Sequence, residues 1–366
     1  MKDQKRVLIA CGGTGGHLFP GIAIAQELKS RGHEVSLVIS KKSIDAQASE
    51  KYAGLDFIEV DAMAKPATFS FAMLGFMVKL FSAVQKAKGL LKSGGYDAVV
   101  GMGGFTSFAP VCAAQQLGLK TFIHDSNAFP GKANLMTSKF ADQILLGTQA
   151  AARFFKGKPC LEVGTPVRDE IRETISSNEA AKLWGLDAER KTLVIVGGSQ
   201  GAQGLNTVCV EGLSLLLKEH PELQVLHIAG PRDEERVKKL VPKELTGYQV
   251  IGFCDQMPAA LALADLVVAR SGASTLTELA YLGKPSLLVP YPYAADDHQT
   301  FNGEVFVEAG AAEMRQEGEL SAEGLRELVS ELVFSEGKLQ QLATGARSLA
   351  RPDSAKEIVD VVLGRA

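Results

Sequence analysis

The chain has 366 residues, of which 46% are hydrophobic, and a formal net charge of −3 at pH 7. This length predicts two domains, each able to bury its own core, and the near-neutral charge gives no reason to expect nucleic acid as a partner. Five scattered cysteines without a Cys-x-x-Cys pair favour reduced thiols, and no apolar run approaches the ~18 residues of a membrane span, so we expect a soluble or peripheral protein.

The first predicted elements are a strand, a glycine turn and a helix. Val7–Ala10 is apolar, Gly12–Gly16 supplies the turn, and Pro20 is expected at the first position of the helix. Such a turn presents backbone N–H groups at the positive end of a helix, which is an anion site, commonly for phosphate. His17 lies at its rim and can take up or release a proton near neutral pH. The alternatives are an ordinary tight turn and a histidine that only caps the helix.

Two common nucleotide-binding fingerprints are missing from the chain. Neither Gly-x-Gly-x-x-Gly nor Gly-x-x-x-x-Gly-Lys-Ser/Thr occurs, which argues against a dehydrogenase and a P-loop enzyme.

Strands and helices alternate along the rest of the chain, which predicts parallel sheets covered on both faces. A strand followed by a glycine turn recurs within 97–104 and 192–202, and this weak repeat predicts two similar α/β halves. Further strands are predicted at 34–39, 56–60, 120–124, 143–146, 160–163, 224–229, 248–252, 266–268 and 286–289. Helices are predicted at 107–117, 179–184, 321–333, 338–350 and 354–363.

Residues 65–93 combine apolar side chains with lysines and contain no acidic residue. One interpretation is a buried crossover helix with a solvated lysine edge. The other is a surface that also dips into an anionic lipid leaflet. Composition alone leaves both open.

In the second half, the strand at 266–268 is followed by Arg270–Glu278, whose small residues are predicted to begin another helix. The N–H groups and hydroxyls there suit a diphosphate, and Glu278 could accept a hydrogen bond from a sugar diol. The alternatives are an ordinary helix cap and a solvated helix face. A polar loop, 290–299, follows the next strand, at the kind of position where open α/β sheets bind ligands.

Two glycine or small-residue turns in each half imply one anion-binding face per half. The chain contains no Asp-x-Asp, no His-x-His and no paired His/Cys cluster, so a metal-chelated diphosphate is not expected. Backbone N–H groups, helix dipoles and Arg168 would then stabilise the charge of a leaving diphosphate.

Seven motifs follow one another over nearly the whole chain. They are Gly12–Pro20, Gly101–Gly104, His124–Gly131, Gly164–Arg168, Gly197–Ala202, Arg270–Glu278 and Asp297–Asn302. In this order the motifs resemble those of the MurG family, the bacterial N-acetylglucosaminyltransferases of peptidoglycan synthesis.

The resemblance implies an α/β protein of GT-B architecture, with two Rossmann-like parallel-sheet domains facing across a cleft. By this resemblance, residues 1–165 form the acceptor and membrane-facing domain, 166–345 bind UDP-GlcNAc, and 346–366 form a helix that packs back across the domains. The implied reaction needs no cofactor and no metal. It moves GlcNAc from UDP-GlcNAc to the C4 hydroxyl of the muramyl sugar of undecaprenyl-linked lipid I, with inversion, giving lipid II at the cytoplasmic face of the cell membrane.

The resemblance also implies roles for individual residues. His17 is the expected general base, and the lipid diphosphate is expected to bind at Gly12, Gly13, Gly103 and Gly104. The implied contacts with UDP-GlcNAc are Thr14, Gly15, Gly16, Asn127, Arg168, Ser199, Cys254, Ser271, Gly272, Ala273, Ser274, Thr275, Leu276, Glu278, His298 and Gln299. The implied membrane patch is Phe71, Phe76, Lys79, Leu80, Phe81 and Lys86.

The chain departs from the family pattern at three positions. Asp125 and Ser126 stand where Glu and Gln are usual, and Gly303 stands where Ala is common. Asp125 keeps the carboxylate but is one methylene shorter, so its role stays open.

Three other functions remain as alternatives at this stage. They are a GT-B transferase with another lipid acceptor such as diacylglycerol, a nucleotide-sugar epimerase on the same fold, and a non-catalytic nucleotide-sugar-binding protein.

Overall fold

The computed structural model describes residues 4–41, 51–61, 72–172, 175–198 and 202–365. Backbone contacts divide the chain into two units. Unit 1 comprises Met1–Arg168 together with Arg351–Ala366, and unit 2 comprises Asp169–Ala350. Unit 2 is therefore a continuous segment inserted between the two parts of unit 1.

Unit 1 is built on a seven-stranded sheet in the order β3-β2-β1-β4-β5-β6-β7, in which all neighbours are parallel. The central strands are apolar throughout because both faces of a parallel sheet are covered. The strands are β1 Arg6–Ala10, β2 Glu34–Ser40, β3 Asp56–Val60, β4 Ala98–Gly101, β5 Lys120–Asp125, β6 Gln143–Leu146 and β7 Cys160–Glu162. The helices are α1 Gly15–Ser30, α2 Ala72–Gly94, α3 Gly104–Gln116 and α4 Lys132–Thr137, with 3₁₀ turns at Ser138–Phe140 and Gln149–Phe154.

Unit 2 has a parallel sheet of six strands in the order β10-β9-β8-β11-β12-β13. The strands are β8 Lys191–Val196, β9 Leu223–Ile228, β10 Tyr248–Ile251, β11 Leu266–Ala269, β12 Ser286–Leu288 and β13 Ala312–Met314. The helices are α5 Asp169–Arg172, α6 Ser177–Trp184, α7 Gln203–Glu219, α8 Glu234–Leu240, α9 Met257–Leu263, α10 Ala273–Leu282, α11 His298–Glu308, α12 Ala322–Val333 and α13 Glu336–Ser348. Short 3₁₀ turns lie at Ala295–Asp297 and Glu317–Glu319. The predicted α/β class with two doubly wound parallel sheets is confirmed.

The last helix, α14 Ser354–Val362, returns to unit 1. Its apolar side chains Ile358, Val359 and Val362 join the core that α1 and the sheet form. At the surface of this contact, Arg31 of α1 pairs with Asp360 of α14. Of the three C-terminal helices, α12 and α13 belong to unit 2 and only α14 belongs to unit 1.

Helix α1 begins at Gly15, and Pro20 lies inside it. The backbone N–H groups of His17 and Leu18 both bond to the carbonyl of Thr14, at 3.1 and 3.0 Å, so the first turn is already helical before the proline. The prediction that Pro20 opens the helix is therefore wrong. Because α1 begins at Gly15, His17 belongs to the first turn of the helix, and regular helical backbone geometry holds it in place.

Helix α2 lies with one face on the core of unit 1 and the other exposed. Phe76 and Leu80 are 7% and 6% exposed, and Phe76 packs edge-on against Phe105 with ring centroids 5.6 Å apart. Their assignment to a membrane patch is wrong, since these side chains stabilise the fold. The exposed face carries Lys79, Phe81 and Lys86, together with Met77 and Val78. Phe71 lies outside the described residues.

Within the described ranges, none of the helices combines the length and the apolar character that crossing a membrane requires.

Candidate functional site

The strand order of unit 1 reverses between β1 and β4. Ligands of doubly wound sheets bind outside the carboxyl ends of the strands at such a reversal. The two strands are in register from Val7 opposite Ala98 to Ala10 opposite Gly101, and the N–H of Met102 bonds to the carbonyl of Ala10 at 2.8 Å. The glycine turns that follow β1 and β4 therefore lie side by side.

Ser107 links the turn after β4 to the end of β1, and no sequence motif singles it out. It is fully buried, and its hydroxyl lies 2.8 Å from the carbonyl oxygens of Ala10 and Gly103 and accepts from the N–H of Gly103 at 3.0 Å. Gly12 packs closely against the end of β2, because a Cβ at this position would collide with the backbone of Ser40. Ser107 thus ties the turn after β4 to the end of β1, just before the other predicted diphosphate turn.

His17 is half-buried between the two turns. Its Nδ1 lies 3.2 Å from the hydroxyl of Thr14, and its Nε2 faces Gly103, where a Cβ would come within 2.5 Å of that nitrogen. In the neutral ring, an Nδ1–H that donates to Thr14 makes Nε2 the proton acceptor. Only a glycine at 103, whose φ is +124°, leaves room for this arrangement. The geometry suits a general base.

Asp125, at the end of β5, turns its carboxylate back onto its own loop. One oxygen accepts from the N–H of Asn127 at 3.0 Å, and the other accepts from the side-chain amide of Asn134 at 2.9 Å. The Asp side chain has the right length to accept a hydrogen bond from the backbone N–H two residues later. Burial raises the pKa of Asp125 to about 6. The shortened carboxylate therefore shapes the loop that carries Asn127, and Asn127 itself is half-buried.

His124 precedes Asp125 and is also buried, with Nε2 2.8 Å from the carbonyl of Gly164. Burial lowers the pKa of His124 to about 4. The two neighbours thus respond to acid in opposite senses. The His124 contribution to stability is present above pH 6.5 and is lost as the pH falls toward 4, whereas the Asp125 contribution is present below pH 3.8 and is lost as the pH rises through 6.

We expect Asp125→Asn to make unit 1 more sensitive to acid. Each shift corresponds to about 3 kcal/mol, so the two contributions nearly cancel in the native chain between pH 6.5 and 4. In the variant, the His124 loss is no longer offset. The free energy of unfolding, measured with urea at several pH values, should therefore fall by about 3 kcal/mol more in Asp125→Asn than in the native chain over this range. Parallel curves would contradict the prediction.

Arg168 closes the first part of unit 1, and its guanidinium stacks over the ring of Phe19 in α1 at 4.1 Å from the centroid. The stacking of an arginine on an aromatic face helps to hold the guanidinium in place.

Unit 2 repeats the reversal between β8 and β11. The turn after β8 contains Ser199, which lies outside the described residues. The turn after β11 leads into α10, whose N-cap, Gly272, provides no side-chain cap. Across the described ranges, the buried hydroxyl of Ser274 finds no hydrogen-bond partner. The first turn of α10, with Ala273 and Thr275 half-buried, therefore offers N–H groups and a hydroxyl to an anion.

Ser271, Leu276 and Cys254 lie below this surface. Ser271 is fully buried, and its hydroxyl donates to the carbonyl of Gln299 at 2.7 Å. Asn302 donates to the carbonyl of Ser271 at 3.2 Å. Leu276 and Cys254 belong to the hydrophobic core of unit 2. These side chains support the turn, so a contact with a ligand at these positions would be made by the backbone.

The loop after β12 brings His298 and Gln299 to the start of α11. Nδ1 of His298 lies 2.8 Å from the carbonyl of Ala295, and Oε1 of Gln299 accepts from the N–H of Tyr291 at 2.9 Å. Asp296 and Asp297 both have positive φ, 54° and 53°, which costs energy for residues other than glycine and is typical of ligand-binding loops. Glu278 lies half-buried further along α10.

A metal site is not formed by the described residues, since no three side chains of His, Cys, Asp or Glu come together there.

Two family models match the chain. The glycosyltransferase family 28 N-terminal domain matches residues 7–146, and the glycosyltransferase family 28 C-terminal domain matches residues 192–358. The resemblance seen in the motifs is thereby confirmed at the level of both halves.

Curated relatives match over more than nine-tenths of their length. The UDP-N-acetylglucosamine--N-acetylmuramyl-(pentapeptide) pyrophosphoryl-undecaprenol N-acetylglucosamine transferase of Geotalea uraniireducens is 35% identical over 365 residues, which cover 97% of each chain. The enzyme of the same name from Myxococcus xanthus is 36% identical over 359 residues, covering 97% of this chain and 92% of the relative.

Solved structures show the same architecture. The crystal structure of Acinetobacter baumannii MurG has a TM-score of 0.77 and 28% identity, covering 98% of this chain and 99% of that chain. The UDP-GlcNAc 2-epimerase from Neisseria meningitidis bound to UDP-GlcNAc has a TM-score of 0.71 at 14% identity, covering 98% and 100%. The second likeness concerns the fold alone.

Proposed function

The chain belongs to glycosyltransferase family 28, and from this premise we propose that it transfers GlcNAc from UDP-GlcNAc to the muramyl sugar of lipid I, forming lipid II. The observation that carries the proposal is the position of His17. It lies where the strand order of unit 1 reverses, with Nε2 against the second glycine turn and Nδ1 beside Thr14. Full-length relatives with this activity in their names support it.

The proposed reaction is a single displacement at the anomeric carbon. The C4 oxygen of the acceptor attacks this carbon from the face opposite UDP, while the bond from the carbon to the diphosphate oxygen breaks. UDP leaves with the electron pair, and the proton of the hydroxyl passes to Nε2 of His17. Attack from the opposite face inverts the configuration.

We assign the acceptor to unit 1. The turns that contain Gly12, Gly13, Gly103 and Gly104 would receive the lipid diphosphate, because the positive ends of helices favour anions without a metal. The N–H of Gly103 itself donates to Ser107.

We assign the donor to unit 2. Its diphosphate would lie at the first turn of α10, over Gly272–Thr275, where the orphan hydroxyl of Ser274 also lies. Glu278 would accept from the ribose, and His298 and Gln299 would bind the GlcNAc hydroxyls. The roles of Ser199 and Cys254, and those of Thr14, Gly15, Gly16, Asn127 and Arg168 toward the donor, stay predictions of the family resemblance.

The direct test is transfer of radiolabelled GlcNAc from UDP-GlcNAc to a short-chain lipid I analogue in the presence of EDTA, with diacylglycerol as a parallel acceptor. Product on the lipid I analogue alone is expected. Product on diacylglycerol, or release of UDP without transfer, would contradict the acceptor assignment and leave the fold unaffected.

We further propose that the exposed face of α2 holds the protein on the cytoplasmic face of the membrane. Met77, Val78 and Phe81 are 53%, 64% and 66% exposed, and Lys79 and Lys86 lie beside them. Apolar side chains contribute to membrane binding by burial in the lipid, and lysines contribute by attraction to anionic headgroups, so their combination favours an anionic leaflet.

Phe81→Glu is expected to weaken binding to vesicles containing phosphatidylglycerol by roughly tenfold or more, because burying a Phe side chain contributes about 1.5–3 kcal/mol. Leu215→Glu is the matched control, since Leu215 is a similarly exposed apolar residue, 52% accessible, on α7 of unit 2. Co-sedimentation with vesicles measures both. Equal binding by the two variants would argue against α2 as the anchor.

A further inference from the structure

One largely buried ion pair in unit 2 lies beside the turn and the loop that we assign to the donor diphosphate and sugar. Arg270, the residue after β11, is 6% exposed. One terminal nitrogen of its guanidinium donates to the carbonyls of Val289 and Pro290, at 3.0 Å each, and the other pairs with Glu317. The ring of Tyr291 covers the guanidinium at 5.5 Å. Arg270 therefore anchors the start of the 290–299 loop.

Glu317 reaches this position from the 3₁₀ turn Glu317–Glu319, which follows β13. Its carboxylate also packs against the first turn of α7, where a Cβ on Gly204 would collide with it. Helix α7 follows the turn after β8. Glu317 is thus in contact with α7 on one side and with the residue that opens the Arg270–Thr275 turn on the other.

The loop beyond Arg270 is tied to the same turn by further bonds. The N–H of Tyr291 donates to the Gln299 side chain, and the carbonyl of Gln299 accepts from Ser271. A shift of the Arg270 guanidinium would therefore move the Pro290 carbonyl, the loop and Gln299 together. The energetic reason for such a shift is that a buried guanidinium without its carboxylate partner is costly. Its Nε already finds no partner among the residues that the structure describes.

We propose that Glu317 is a positioning residue for the nucleotide-sugar donor: it fixes Arg270, and through Arg270 it aligns the turn before α10 with the loop that carries Gln299. Glu317 touches no reacting atom in this scheme. The inference rests on the proposed function, because it assumes that unit 2 binds the donor.

The test compares Glu317→Gln with Glu319→Gln. Both replace a carboxylate by an amide of the same size in the same short turn, but Glu319 is exposed and makes no ion pair with Arg270. For Glu317→Gln we expect the KM for UDP-GlcNAc to rise roughly tenfold and the Kd for UDP, from calorimetry, to rise in parallel, because small displacements of binding groups are costly. The kcat at saturating donor should stay within about threefold, and the KM for the acceptor should not change. Glu319→Gln should match the native protein in every constant.

A purely structural role makes a different prediction. It would lower the midpoint of thermal unfolding and leave the KM for UDP-GlcNAc unchanged below that midpoint, and this result would overturn the proposal. If Glu317→Gln does not fold, Glu317→Asp replaces it: the charge stays, the reach shortens, and a rise of at least about threefold in the donor KM is expected, since part of the alignment is lost. An unchanged KM in this variant would overturn the proposal as well.

Failure of the proposed function gives a separate result. A native protein that binds no UDP would overturn the donor assignment to unit 2, and the inference with it. A native protein that binds UDP but does not transfer GlcNAc to the lipid I analogue would overturn only the acceptor assignment, and UDP binding by Glu317→Gln would still decide the inference.

Discussion

Replacing His17 by alanine is expected to lower the rate of GlcNAc transfer by roughly 10²–10⁴, the range for removal of one general acid or base. The ring holds its Nε2 against Gly103 and its Nδ1 3.2 Å from the Thr14 hydroxyl, so the side chain is aimed before substrate arrives. The measurement is kcat with the short-chain lipid I analogue at saturating UDP-GlcNAc. The affinity for UDP, measured by calorimetry, should change little, because we assign the donor to unit 2.

Thr14→Val supplies the graded comparison for His17. This variant keeps the imidazole and removes the hydroxyl beside Nδ1, so we expect a loss of rate smaller than that of His17→Ala. An unchanged rate in His17→Ala would exclude the base role. Loss of UDP binding together with activity would instead indicate that His17 supports the donor.

Gly103→Ala is expected to lower the transfer rate by roughly 10²-fold or more and the free energy of unfolding by about 1–3 kcal/mol. Two effects combine at this residue. The φ of +124° is unfavourable for any side chain, and the new Cβ would come within 2.5 Å of Nε2 of His17, so the imidazole must move. Steady-state kinetics and urea unfolding of the same preparation separate the two effects.

Gly118→Ala is the matched control for Gly103→Ala. Gly118 lies beyond the other end of α3, has a φ of +72°, and has nothing within 4 Å of the Cβ that the substitution adds. It should lose about 1–2 kcal/mol from the strained backbone alone, with an unchanged rate. If the two variants had equal activity, the steric argument for His17 would be wrong.

Much of the fold could be predicted because buried parallel strands are continuous apolar runs. The bounds of β3 and β6 agree with the sequence, and most other strands agree within one residue. The missing strand was β13, whose three residues Ala312–Met314 are too few to show a pattern. The start of α1 was misplaced because Pro20 fits the usual first position of a helix, whereas glycines 15 and 16 already form its first turn.

The parts of the site that are formed by neighbouring residues could be predicted from the sequence, whereas contacts between distant residues could not. A strand followed by glycines and a helix carries its own signal, so the turns around His17 and Ser274 could be found. Ser107 bonds to Ala10, which lies 97 positions away in the sequence, and Arg270 pairs with Glu317, which lies 47 positions away. No sequence pattern predicts either contact. The apolar residues of α2 cover a wide part of its helical wheel, so the sequence does not show which of them pack against the core and which are exposed.

The return of α14 to unit 1 has a consequence for how the chain is made. At about 5–20 residues per second, translation of the inserted unit 2 occupies roughly 10–40 s, during which α1 has been synthesised but the helix that covers it has not. The unit that leaves the ribosome first is thus the last to be completed. A nascent chain that stops anywhere within Asp169–Ala350 carries an uncovered apolar face on α1, and such a face makes incomplete chains prone to aggregate.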